Sequence, residues 1–194
     1  MYSYIEGKIT EKNPTYVVID VNGIGYQIHI SLHTYSQIEG LQNCKLHTHF
    51  VVREDAQLLY GFYSANERKL FVHLVSVSGV GANTARLILS SMSPDELYTN
   101  IINSNFPALQ SVKGIGGKTA QRIIIDLKDK LEKEEGIVEN VPFSHNTKKE
   151  EALSGLVVLG FSRNLASKAI DKVLETKGGD LSVEELIKNV LKSF

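Results

Sequence analysis

With a single cysteine, Cys44, in 194 residues, the chain has no means of building an internal disulfide framework or a thiolate-rich zinc or iron–sulfur site. Long apolar runs are missing as well. None approaches the ~20 residues a membrane-spanning helix requires, and no membrane partner is expected. Met1-Tyr2-Ser3-Tyr4 has neither the basic start nor the apolar stretch of an export signal, so the expected setting is the reducing cytoplasm. A strong charge of either sign is also lacking. The formal net charge is −1, so a nucleic-acid partner has to be argued from where the charges lie. The 42% hydrophobic and 22% charged fractions are those of an ordinary globular protein, long enough for one large or several small domains.

The charges are unevenly placed. Residues 1–64 hold four Lys or Arg against six Asp or Glu, whereas residues 65–131 hold eight against five. The basic block also contains a passage written twice. Shifting Leu74–Leu89 by 35 positions lays it over Leu109–Ile124, with Leu74/Leu109, Ser76/Ser111, Val77/Val112, Gly79/Gly114, Gly81/Gly116, Thr84/Thr119, Ala85/Ala120 and Ile88/Ile123 identical. An internal match of this kind is a structural duplication. Each copy reads as helix, Gly-apolar-Gly, helix, with Val80 or Ile115 between the glycines packing inward. Around the copies, Ala65 to Ser76 has helical spacing, Ser93-Pro94-Asp95-Glu96 is a capping-box start, and Phe106-Pro107 opens a short helix. Ala120, Ile123, Ile124, Leu127 and Leu131 form one stripe of a longer helix.

Helix N-termini with exposed amides attract anions, and Lys118 and Arg122 add charge to the second copy. Thr84 and Thr119 supply hydroxyls. Two such turns in register suit the phosphates of a nucleic-acid backbone, a contact that positions a duplex without reading its sequence. Nucleotide-site readings fail. A P-loop needs glycine five positions before the glycine of Gly117-Lys118-Thr119, where Val112 stands. Neither copy completes Gly-x-Gly-x-x-Gly, because Thr84 and Thr119 occupy the last position.

Residues before this block read as about five strands, the size of a small OB-type barrel. The candidates are Tyr4–Ile9, Tyr16–Val21, Tyr26–Ile30, His47–Val52 and Gln57–Tyr63. Asn22-Gly23 is a hairpin signal, and His33–Ile38 reads as a helical turn. Tyr2, Tyr4, Tyr60 and Phe62 offer a base-stacking platform, although the acidic balance of this region favours core or subunit contact. Glu54 and Asp55, at a hairpin tip, read on their own as solvated turn residues. No third acidic or His partner lies near enough in sequence for a metal or acid–base site, and His47 and His49 lack further ligands. No catalytic residue, metal or cofactor is expected. After a charged, irregular stretch from Glu132, three helical stripes begin at Ala152, Ser162 and Leu181, a module small enough to serve as a docking unit.

The two Gly-x-Gly units resemble the helix-hairpin-helix motif of sequence-independent DNA-binding modules. Together with Val21-Asn22-Gly23-Ile24-Gly25-Tyr26 and the stretch from His49 to Phe62, they make essentially the whole chain similar to the RuvA family, the Holliday-junction recognition subunits of bacterial branch-migration complexes. The resemblance implies a multidomain fold: an OB-fold barrel over 1–63, an all-α tandem helix-hairpin-helix domain over 64–133, a flexible linker over 134–148 and a small three-helix domain over 149–194. It implies a homotetramer, or a double tetramer, that binds four-way junction DNA in recombination and repair without catalysing a reaction. The C-terminal domain would bind a RuvB-type hexameric ATPase, and a RuvC-type junction resolvase is a further candidate partner. It further implies phosphate contact by Gly79, Val80, Gly81, Asn83, Thr84, Gly114, Ile115, Gly116, Lys118, Thr119 and Arg122, and an acidic pin formed by Glu54 and Asp55 at the crossover. In two places the chain departs from the family pattern by losing charge: Asn83 replaces a usual Lys and Gly117 a frequent basic residue, while Lys113 stands where Pro is usual.

Two other functions compete with this one. Helix-hairpin-helix DNA glycosylases place a catalytic Lys where Lys118 stands, followed further on by an Asp. Here Asp126 and Asp129 come too soon, and Gly136 stands where the Asp should be. The other rival is a single-stranded-DNA-binding OB protein.

Overall fold

The computed structural model describes residues 2–133, 147–177 and 181–192. The chain divides into two compact units, residues 1–139 and 140–194. In the first unit, strands β1 (Tyr4–Asn13), β2 (Tyr16–Val21), β3 (Ile24–Ile30), β4 (Asn43–Val52) and β5 (Gln57–Phe62) close into a barrel in the order β1-β2-β3-β5-β4. All pairs are antiparallel except β3 with β5. The β2–β3 hairpin turns on Asn22 and Gly23, both at positive φ, as a two-residue connection between twisted strands requires. β1 runs four residues past the expected end at Ile9. Its first half pairs with β4, its second with β2, and a bulge between Ile9 and Glu11 bends it from one partner to the other. Val17, Ile19, Ile28, Ile30 and Leu46 fill the barrel, with Ile38 closing one end after the short helix α1 (Leu32–Gln37).

Among the described residues of this unit five more helices follow: α2 (Ala65–Ser76), α3 (Ala82–Ser91), α4 (Pro94–Ile102), α5 (Phe106–Gln110) and α6 (Gly117–Lys133). Ser93 and Glu96 form the expected capping box on α4. Because side chains alternate along a strand, β5 serves two cores. Leu59 faces the barrel interior, while Tyr60 and Phe62 point outward and pack on Phe71 of α2, at ring-centroid distances of 5.1 and 4.8 Å. The four-aromatic platform is therefore not formed: Tyr60 and Phe62 are fully buried, and only Tyr2 and Tyr4 lie at the surface.

Polar contacts fasten barrel to helices. The Arg86 Nη1 donates to the carbonyls of Thr15 (2.9 Å) and Ile30 (3.3 Å), and the Leu32 amide donates to the Ser90 Oγ (3.0 Å). At the centre of the contact Glu67 of α2 is completely buried and accepts from the hydroxyls of Ser31 and Thr34 (2.6 Å for Thr34). Burial drives the Glu67 carboxyl above the ordinary range; the two hydroxyls and His33 oppose that shift only in part.

In the second unit, α7 (Thr147–Val158), α8 (Arg163–Lys177) and α9 (Val183–Leu191) enclose Leu153, Leu156, Ala166, Ile170, Leu186 and Val190. α7 ends in a Schellman motif at Gly160, φ +98°, with the Phe161 amide bonded to the Leu156 carbonyl and that of Gly160 to Val157. Of the expected linker, residues 134–146 lie outside the described residues, and Thr147 and Lys148 already belong to α7. Among the described residues no helix is long and apolar enough to cross a membrane.

Candidate nucleic-acid interface

The duplicated sequences fold into duplicated turns. Gly79 has φ +90° and Gly114 +89°, a left-handed conformation that a Cβ disfavours. The amide of Val80 donates to the Val77 carbonyl and that of Ile115 to Val112, each at 3.0 Å. The side chains of Val80 and Ile115 are buried in the helical core, as their spacing predicts. These two residues thus shape the turn, and their own amides are used within it. The first-turn amides of the following helices have no partner within their helix. The first helical bond of α3 runs from the Ala85 amide to the Gly81 carbonyl and that of α6 from Ala120 to Gly116, each at 2.9 Å. No side chain caps the amides at the start of α3.

Gly81 and Gly116 differ from the other two glycines. Neither has a positive φ, and a Cβ built on either would, as at Gly79 and Gly114, meet no described atom beyond its chain neighbours within 4 Å. Neither backbone conformation nor internal packing calls for glycine there. Bare backbone at the N-terminus of a helix, open on the outside, is what close approach of an anion needs.

Around these turns Asn83, Lys113, Lys118 and Arg122 are exposed, and Thr84 and Thr119 are half-buried. Two links between them have no signal in the sequence, because their partners are distant in the chain. Tyr60 of β5 donates its hydroxyl to Asn83 Oδ1 at 3.1 Å, and Arg122 Nη1 donates to the Ser78 carbonyl at 3.2 Å. Glu54 and Asp55 sit exposed at the β4–β5 hairpin tip, closed by a bond of 2.8 Å from the Arg53 amide to the Ala56 carbonyl. His49 packs edge-on against Phe71, and burial, with Arg68 adding to it, lowers its pKa. Cys44 is buried and its thiol pushed up to about 11 by desolvation, which leaves it unreactive. No group of three or more His, Cys, Asp or Glu side chains among the described residues is arranged to hold a metal ion.

Family profiles agree with this architecture in three places. The RuvA N terminal domain matches residues 1–61, the SAM-like helix-hairpin-helix tandem residues 71–129, and the RuvA C-terminal domain residues 147–193. Proteins named Holliday junction branch migration complex subunit RuvA align with the chain from end to end. That of Christiangramia forsetii is 50% identical over 194 residues, covering 100% of both chains. That of Flavobacterium psychrophilum is 47% identical over 194 residues with the same coverage, and that of Cytophaga hutchinsonii 46% over 197 residues, covering 99% of each. A five-stranded barrel, a tandem of helix-hairpin-helix turns and a three-helix C-terminal unit, matched along the whole length at this identity, place the chain in the RuvA family.

Proposed function

We propose that this protein binds four-way DNA junctions as a homotetramer, without sequence preference, and serves as the non-catalytic subunit of a cytoplasmic branch-migration complex. The observation that carries the reading is the pair of equivalent turns whose Gly81 and Gly116 are required by neither their backbone conformation nor packing among the described residues. Amides at the starts of α3 and α6, with Lys118, Thr84, Thr119 and Arg122 beside them, would bind successive backbone phosphates and leave the bases unread. Glu54 and Asp55 take the opposite part. Four copies of this tip at the crossover would repel phosphates and keep the exchanging strands apart, with no bond broken. The C-terminal unit would dock a RuvB-type hexameric ATPase. Its Val158, Leu159 and Leu165, exposed by 85%, 59% and 50%, are apolar surface of the kind a partner covers. The relatives' name, a subunit of a branch migration complex, supports the same assignment.

The test is a gel shift with a synthetic four-way junction, a plain duplex and single-stranded DNA, together with the mass of the free and junction-bound protein in solution. The junction is expected to bind tightest, as a complex of four or eight chains. Equal affinity for the three probes, or a stable monomer on the junction, would overturn the reading.

A further inference from the structure

The internal repeat sets Asn83 in register with Lys118. Both follow a Gly-x-Gly turn at the second residue of their helix, so the first unit presents a neutral amide where the second presents a cation. The two side chains also differ in their support. Asn83 Oδ1 accepts the hydroxyl of Tyr60 at 3.1 Å, and the Tyr60 ring is fixed from within. It is 1% exposed and packs on Phe71, at 5.1 Å, and on His29, at 5.6 Å between ring centroids. The hydroxyl is thereby carried to the edge of the core by packing. Burial raises the phenol's pKa against the pull of Arg86 and Arg53, so it remains a donor at neutral pH.

A carboxamide beside a phosphate is useful in one orientation only. Its nitrogen donates two hydrogen bonds, whereas its oxygen, turned outward, repels an anionic oxygen. In the structure the Tyr60 hydroxyl occupies Oδ1, which leaves both Nδ2 hydrogens available to an acceptor. We infer that Tyr60 is a positioning residue for the DNA backbone: through Asn83 it aims a neutral donor at the phosphate beside the first Gly-Val-Gly turn, in place of the cation that Lys118 supplies beside the second. The inference rests on the phosphate-contact reading of the two turns. It makes the barrel a participant in the first of them, because Tyr60 belongs to β5.

The experiment is a double-mutant cycle on the full-length protein, read as affinity for a synthetic four-way junction and a plain duplex at several salt concentrations, with melting temperatures recorded for each variant. Asn83→Ala is expected to weaken binding about three- to tenfold, the scale of one hydrogen bond. Tyr60→Phe, which keeps the ring, is expected to lose several-fold while Asn83 is present and nothing further once it is gone. Neither change should alter the salt slope, whereas Lys118→Ala should reduce it by about one. Asn83→Asp, which keeps an acceptor for Tyr60 but has no outward donor, should bind worse than Asn83→Ala. Parental affinity in Tyr60→Phe, additive losses in the double variant, or parental binding by Asn83→Asp would each overturn the inference. If Lys118→Ala also binds as the parent does, the phosphate-contact reading itself fails. If Lys118→Ala weakens binding and Asn83→Ala does not, only the role of Tyr60 and Asn83 is lost.

Discussion

Arg122 and Ser78 join the two halves of the duplication. The guanidinium Nη1, on the second turn of α6, donates to the backbone carbonyl that precedes Gly79, 44 residues earlier in the chain. One side chain of the second hairpin thus holds the loop of the first, next to the starts of both helices proposed to bind phosphate. Arg122 has further donors in the same planar fork for a phosphate, so its charge and its bridge are separable. Arg122→Lys keeps the charge and gives up the fork. It is expected to retain the parental salt slope while recovering only part of the affinity that Arg122→Ala loses. Full recovery by Lys, in a filter-binding titration with duplex DNA, would show that the bridge is dispensable.

The four turn glycines divide into two classes with opposite expected phenotypes. At Gly79 and Gly114 a Cβ is opposed by a φ near +90°, so alanine should cost roughly 1–2 kcal/mol of stability. At Gly81 and Gly116 a Cβ has open space and an ordinary φ, so alanine should leave stability within about 1 kcal/mol. On the proposed phosphate contact the same methyl would stand in the path of the phosphate, and junction affinity should fall. Thermal melts and gel shifts on the four single variants read both quantities. Unchanged affinity in Gly81→Ala and Gly116→Ala would remove the argument that their bare backbone faces DNA.

Neutralising the hairpin tip tests the other end of the site. Glu54→Gln with Asp55→Asn removes two exposed charges from a turn whose backbone is closed by its own hydrogen bond, so folding should be unaffected. Junction binding is expected to stay the same or tighten as repulsion of phosphates is relieved, while branch migration, measured with the partner motor on a mobile junction, should change. Loss of binding would assign the carboxylates a structural role instead.

How far these features were legible in the sequence depends on their range. The Gly-x-Gly turns, the capping box at Ser93 and the hairpin at Asn22-Gly23 are local, each set by a few neighbouring residues, and each forms where the sequence places it. The extension of β1 through Thr10-Glu11-Lys12-Asn13 was not legible. That stretch is polar and without apolar alternation, and it is held in the sheet by pairing with β2 across a bulge. Period-two alternation marked Tyr60 and Phe62 as sharing one face of a strand, but in a barrel strand it cannot tell the interior from an outer face covered by a helix. The bonds from Tyr60 to Asn83 and from Arg122 to Ser78 are tertiary, and no spacing rule announces them. Ser64-Ala65-Asn66-Glu67 is misleading in another way. It has capping-box spacing, and Ser64 does accept the Glu67 amide, yet the Glu67 carboxylate turns away to Ser31 and Thr34.

That buried carboxylate makes the stability of the barrel–helix contact pH-dependent, with a sign that follows from its environment. Burial raises the folded-state pKa of Glu67 above that of the unfolded chain, and the hydroxyls of Ser31 and Thr34 and the nearby charge of His33 offset this only partly. The folded protein therefore holds the Glu67 proton more tightly. The stabilisation from this group is complete below the ordinary glutamate range and is lost as pH rises through the raised value. Glu67→Gln has no proton to lose, so its stability should lack that decline, and variant and parent should differ most on the alkaline side of the window. Glu67→Ala, by contrast, leaves two hydroxyls at the domain contact without their acceptor and should cost roughly 1–3 kcal/mol at any pH. Denaturant unfolding of parent and variants across the acidic to neutral range measures both effects. An identical pH slope in the parent and Glu67→Gln would mean that the carboxyl carries no such linkage, and that the contact between barrel and helices is indifferent to its charge.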